Sequence, residues 1–232
     1  MYNSKTITRE ELCGLFDHTN LKAFADEKAF RTLCREAAEN HFAMVAINSA
    51  PVALCHRLLE GTGVHVGAAI SFPLGQMTIE GKLSETKDAI DNGADEIDYV
   101  INVGEVKNGN LDYIRDEMEQ MTALCHAHGI LIKVIFEICY LTDEEIVKIA
   151  RIARDVRPDF IKTSTGFGTG GATAAAVRLM KENAGSDVKI KAAGGIRSWQ
   201  ACAEMIDAGA ERIGTSSSLK ILEEYDKVSF IS

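Results

Sequence analysis

The sequence predicts an α/β fold, a single (β/α)8 barrel over residues 1–232, and three observations carry that expectation. Eight short β-rich runs alternate with longer amphipathic stretches. Their starts lie about 21 to 35 residues apart, the length of a strand plus its crossover helix. Several strands also carry charges on one face. A doubly wound open sheet is covered by helices on both sides, so its strands should be apolar throughout. A barrel interior can hold charge near its C-terminal mouth, where parallel-barrel enzymes place their chemistry. The charged faces therefore favour a closed TIM barrel.

The elements follow in order. Strand one (15–21) puts Asp17 and Thr19 on one face. Asp26 reads as the N-cap of a helix over 26–40, with Ala29, Phe30, Leu33 and Ala37 at helical spacing. Strands two (44–48) and three (65–71) are followed by a helix that Gly93 closes. Strand four (96–102) sets Ile97, Tyr99 and Ile101 against Glu96, Asp98, Val100 and Asn102. Gly129 ends the next helix, and strand five (131–137) sets Ile132, Val134 and Phe136 against Lys133, Ile135 and Glu137. Thr142 caps the helix before strand six (160–165), which carries Lys162. Strand seven (188–194) divides Val188, Ile190 and Ala192 from Lys189, Lys191 and Ala193. Gly209 closes the last crossover helix before strand eight (212–216). Asp17, Asp98, Lys133, Lys162 and Lys191 are thereby expected in one cavity. The competing expectation, charges at strand ends reaching water, weighs more for Lys133 and Lys189 than for Lys162 and Lys191.

Composition narrows the partners. With 46% apolar and 25% charged residues and only three prolines, the chain suits one globular domain without a linker. The net charge of −9, with no Lys/Arg cluster interleaved with aromatics, argues against nucleic acid. No apolar run approaches the roughly 18 residues of a membrane span, and the polar N-terminus lacks a signal-peptide core. Six cysteines without a CxxC pair suggest reduced thiols in the cytoplasm.

Two lysines and an aspartate in one cavity suit imine chemistry. A lysine attacks a carbonyl only as the free amine, and its ordinary pKa is about 10.4. Burial disfavours the ammonium, and a second cation disfavours it further. Lys191 would be that cation for Lys162, and Asp98 would move protons.

The segments FIKTSTGFGTGGAT (160–173) and KIKAAGGIR (189–197) together resemble the deoxyribose-phosphate aldolase family, a class I, Schiff-base-forming group. LFDHTNLK (15–22), ADEIDYVIN (94–102), LIKVIFEICYLTDEEI (131–146) and RIGTSSSL (212–219) extend the likeness over nearly the whole chain in the family's order. The resemblance implies Lys162 as the Schiff-base lysine, Lys191 as the pKa-lowering, proton-shuttling lysine and Asp98 as the acid/base partner. Asp17, Thr19, Lys133 and Thr165 would line the substrate pocket. It implies no metal and no organic cofactor, a phosphorylated sugar as substrate, and monomers or homodimers. Glycine-rich turns and helix N-termini bind anions through backbone amides. Gly194, Gly195 and Ile196 end strand seven, while Gly214, Ser216 and Ser217 end strand eight, so these are expected around the phosphate, with Gly166 and Arg197 adding contacts.

Other signals are discounted. Gly166-x-Gly168-x-x-Gly171 matches a dinucleotide fingerprint, but sits after the sixth strand and lacks the acidic residue closing the next one. His126 and His128 are two apart on a helix and cannot chelate from one face. His18 should point to the helix layer, and the cysteines should act as small hydrophobes. Two departures from the family stand out. Ala46 replaces a strand-two cysteine, removing a thiol that an aldehyde could modify, and Tyr225 is the tyrosine nearest a C-terminus shorter than in some members. The rivals are a barrel aldolase for another phosphorylated sugar and a non-catalytic phosphate-ligand sensor.

Overall fold

The computed structural model describes residues 2–229. Its strands are β1 Phe16–Thr19, β2 Met44–Asn48, β3 His65–Ile70, β4 Glu96–Val100, β5 Leu131–Ile135, β6 Phe160–Lys162, β7 Lys189–Ala193 and β8 Arg212–Thr215. They form a closed parallel barrel in sequence order, with Phe16 of β1 in register with Ile213 of β8 at the seam. The helices are α1 Arg9–Cys13, α2 Glu27–Glu39, α3 Val52–Leu59, α4 Ile79–Asp91, α5 Val103–Lys107, α6 Leu111–Ala127, α7 Asp143–Val156, α8 Ala174–Asn183, α9 Trp199–Asp207 and α10 Ser218–Ser229. The expected (β/α)8 class is the one observed.

Except for β2, which keeps its expected bounds, the strands end earlier than the sequence suggests, and the lost residues build the mouth. Strand five stops at Ile135, and Glu137 turns away in the left-handed region (φ 54°) before a 3₁₀ turn at Ile138–Tyr140. The capping signals hold. Asp26 and Thr142 accept hydrogen bonds from the first turns of α2 and α7, and Gly93, Gly129 and Gly209 follow the ends of α4, α6 and α9 with positive φ. Not foreseen are the five-residue α1, too short to show periodicity, and the division between β4 and β5. There Asn102 caps α5 and Asn110 caps α6, with Gly109 (φ 71°) between them.

Alternation along the strands makes two cores. Ile97, Tyr99, Ile132, Val134, Ile161, Ile190 and Ile213 are buried beneath the helices; α2 meets this layer through Phe30, Leu33, Cys34 and Ala37. The opposite faces fill the barrel. Near the N-terminal end Met44 fits inside only because Gly67, on the adjacent strand, has no side chain; a Cβ there would strike the Met44 sulfur.

Candidate active site

Seven charged side chains meet inside the barrel: Asp17 from β1, Glu96 and Asp98 from β4, Lys133 from β5, Lys162 from β6, Lys191 from β7 and Arg212 from β8. All seven are buried. Register explains the meeting, because Asp98 lies beside Lys133 and Lys162 beside Lys191 on neighbouring strands. Lys133 Nζ donates to Asp98 Oδ1 at 2.9 Å, while Lys162 and Lys191 donate to Asp98 Oδ2 at 2.8 and 2.6 Å. Lys191 also pairs with Asp17. Arg212 bridges Asp17 Oδ1 (2.7 Å) and Glu96 Oε1 (2.6 Å), and Glu96 pairs with Lys133, closing a ring.

The ring is unbalanced. Four basic side chains face three carboxylates, and Lys162 alone among the four has a single carboxylate within ion-pair distance, one it shares with two other lysines. Burial pushes the Lys162 pKa down, Asp98 resists, and Lys191 and Lys133 push it further, to about 8. Lys133 goes the other way: burial opposes its charge, but Asp98, Glu96 and Asp17 outweigh that and raise it. Burial likewise opposes the Asp98 carboxylate, and the three lysines hold it well below the usual range. The dry barrel thus contains one amine poised to lose its proton near neutrality.

Above Lys162 opens a cavity of about 190 Å³. Thr19, Ala46, Thr165 and Phe167 form its walls, and Gly166, Gly194, Gly195, Ile196, Arg197, Gly214 and Ser216 close its far end. Of the residues expected around the phosphate, Ser217 is not in this wall; its N–H donates to Thr215 Oγ1 at 2.9 Å. Asp17, Asp98, Lys133 and Lys191 lie beneath Lys162 rather than in the wall. Asn20, Leu21 and Lys22 also line the cavity. They lie inside the LFDHTNLK segment, whose strand alternation drew attention to Asp17 and Thr19 instead.

Backbone geometry shapes the glycine turns. Gly166, Gly194 and Gly195 have φ of 86°, 93° and 80°, a region that costs little only for glycine. Gly171 packs backbone to backbone on the turn after β7: Ala172 N–H donates to Gly194 O at 3.0 Å, and a Cβ on Gly171 would run into that oxygen. Gly168 passes the 3₁₀ turn, where a Cβ would strike Cys139 Sγ, so loop-to-loop packing accounts for the dinucleotide-like spacing of glycines. Thr215 Oγ1 donates to Ile196 O (2.6 Å), tying the turns after β7 and β8 together. Buried Glu137 accepts from the hydroxyl and N–H of Thr165 and so grips the β6–α8 loop.

The remaining candidates have other partners. His18 lies outside the barrel, between Ser218 Oγ (3.1 Å) and Glu36 (2.9 Å). His126 pairs with Asp159, and His128 Nδ1 meets Leu124 O. Among the described residues no group of three or more His, Cys, Asp or Glu could hold a metal ion. Five cysteines are buried on helices; Cys139 is half-buried on the 3₁₀ turn. Tyr225 lies within α10, donates to Ile7 O at 2.7 Å and packs its ring on Trp199, away from the cavity.

Comparison with known proteins places the chain in a family. Residues 14–223 match the model of the DeoC/LacD family aldolases. The chain is 53% identical over 216 residues to the deoxyribose-phosphate aldolase of Lactobacillus acidophilus, covering 93% of this chain and 91% of that one. It is 51% identical to the enzyme of the same name from Bacteroides thetaiotaomicron, over 94% of this chain and 92% of that one. Among solved structures, the tetrameric deoxyribose phosphate aldolase of Aeropyrum pernix superposes with a TM-score of 0.88 at 31% identity, covering 95% of this chain and 93% of that one. No helix among the described residues is long and apolar enough to cross a membrane. The chain belongs to the DeoC/LacD family of aldolases.

Proposed function

We propose that this barrel, acting as one domain, reversibly cleaves 2-deoxy-D-ribose 5-phosphate to D-glyceraldehyde 3-phosphate and acetaldehyde, with Lys162 as the imine-forming residue. The observation that carries this is a buried amine at the floor of a cavity, with one carboxylate shared three ways. Relatives more than 50% identical and bearing the name of that activity supply the substrate.

Neutral Lys162 Nζ adds to the C1 aldehyde of the open-chain sugar, and loss of water leaves an iminium. As the C3 hydroxyl gives up its proton, the C2–C3 bonding electrons move into the iminium. Glyceraldehyde 3-phosphate departs, and an enamine stays on Lys162. Protonation at C2 and hydrolysis of the new iminium release acetaldehyde and restore the amine. Asp98 and Lys191, hydrogen-bonded to each other beside Lys162, are the groups that hold and pass these protons, through water because neither reaches the cavity wall. Lys133 and Asp17 set the charge around that pair from beneath. Thr19 and Thr165 flank the reacting carbons. The phosphate rests on the turns at Gly166, Gly194, Gly195, Ile196, Gly214 and Ser216, with Ser217, the residue before α10, behind them and Arg197 at the rim.

Such an enzyme would serve deoxynucleoside breakdown in the cytoplasm, and a homodimer is the assembly proposed from the family resemblance. The decisive experiment is borohydride reduction in the presence of acetaldehyde, followed by peptide mass spectrometry. One ethyl group on Lys162 is expected. An unmodified protein would leave a phosphate-ligand sensor as the better reading, although a sensor has no use for desolvated lysines. Cleavage rates across several sugar phosphates separate the proposed substrate from its nearest analogues.

A further inference from the structure

Glu96 lies outside the cavity wall and is completely buried, two residues before Asp98 on the same face of β4. A carboxylate at that depth is expensive to desolvate, and barrels commonly fill this level with branched apolar side chains. Its contacts show what it holds. Oε1 faces Arg212 at 2.6 Å and His65 Nδ1 at 2.8 Å, and Oε2 pairs with Lys133. Lys133 then donates to Asp98 Oδ1, and Asp98 Oδ2 takes Lys162. Three contacts therefore connect Glu96 to the reacting amine.

Lys133 has a long, flexible stem and a point charge. Held between Glu96 and Asp98, it engages only one oxygen of Asp98. Without Glu96, four cations would face two carboxylates, and Lys133 would have Asp98 and a more distant Asp17 (3.9 Å) left. We propose that Glu96 is a positioning residue for the imine reaction, acting through Lys133: it clamps that lysine from below and so leaves Asp98 Oδ2 to Lys162 and Lys191. The inference rests on Lys162 being the imine-forming residue. The titratable and charged groups facing Glu96 are His65 from β3, Lys133 from β5 and Arg212 from β8, with Asp17 and Asp98 one contact further. Asp95 adds a negative field at His65.

The test is Glu96→Gln, which keeps shape and removes charge. Turnover should fall at least about tenfold with KM changed by no more than about twofold, because the proton relay is disturbed while the cavity wall is not. The acid limb of kcat/KM should also move down by about half a pH unit or more, since loss of an anion makes the Lys162 ammonium harder to hold. A merely structural carboxylate would not move that limb, and Glu117→Gln, which removes an equally buried carboxylate outside the barrel, is the control. A double-mutant cycle with Lys133→Met isolates the route. On that background Glu96→Gln should change kcat by less than about twofold. This arm remains readable if Glu96→Gln alone does not fold, because the pair is then removed together. An unmoved acid limb in the single variant, or a further large loss in the double variant, overturns the proposal. Borohydride trapping on the wild type runs alongside: absence of an adduct there refutes the imine reading itself, whereas an adduct combined with an unmoved limb refutes only the role of Glu96.

Discussion

Two buried ionic clusters lie on opposite sides of β4, and they are built differently. On the helix side, Lys82 of α4 pairs with Glu117 of α6 at 2.5 Å. Lys82 also donates to Val100 O (2.7 Å), and Glu117 accepts from Asn102 N (3.2 Å), so each charge finishes its hydrogen bonding on the backbone that follows Asp98. One cation meets one anion. Burial lowers the Lys82 pKa and raises that of Glu117, each against the pull of the other. On the barrel side, four cations compete for three carboxylates, and the one with fewest partners faces a cavity. Both clusters carry the cost of desolvation. Balance makes the first a clasp for the end of a strand; imbalance makes the second a source of free amine.

This contrast can be broken experimentally. The largest effect is expected from Lys162→Met, which should abolish the borohydride adduct and reduce cleavage by about 10⁴-fold or more, as loss of a nucleophile does; retained labelling would place the imine elsewhere. Asp98→Asn should cost about 10²- to 10⁴-fold in kcat, the range for a lost acid/base group, measured by steady-state kinetics. Across the strand, Glu117→Gln should act in the opposite sense. It should lower stability by about 3 to 5 kcal/mol, as breaking a buried pair does, while the folded fraction keeps kcat within about twofold; denaturant titration with active-site counting separates the two. The smallest effect concerns pH. Lys162, with a pKa lowered to about 8, is ammonium below that value and nucleophilic above it, so imine trapping should rise through about pH 8. Lys191→Leu removes a cation and leaves Asp98 more fully to Lys162. Both changes favour the ammonium, so the acid limb should shift upward. A downward shift would show that burial of Lys191 mattered more than its charge.

Much of the inner ring was legible because strand alternation is strict. Asp17, Asp98, Lys133, Lys162 and Lys191 each sit on the face opposite apolar neighbours, and that pattern brought all five to one place. Arg212 escaped notice because it opens the short β8 before Ile213 and Gly214, with no charged companion to mark the face. Glu96 showed the right alternation with Asp98, yet its position at the start of β4 gave no hint of a partner coming from β8. Nor does alternation report depth: it cannot say that Lys133 and Asp17 stop short of the cavity whereas Thr19 lines it. The turns were found through their glycines, and Ser217 was drawn in by adjacency. Its amide is committed to Thr215, a tertiary detail that no local pattern encodes.

The seam between the first and last strands has a temporal consequence. Asp17 is made before Arg212, its partner across the seam, which emerges 195 residues later. Until then a nascent barrel holds Asp17 and Glu96 without their guanidinium partner and has an open sheet edge at β1. Long-range closure of this kind slows folding. Catalytic competence should consequently appear late and abruptly, only after β8 has cleared the ribosome.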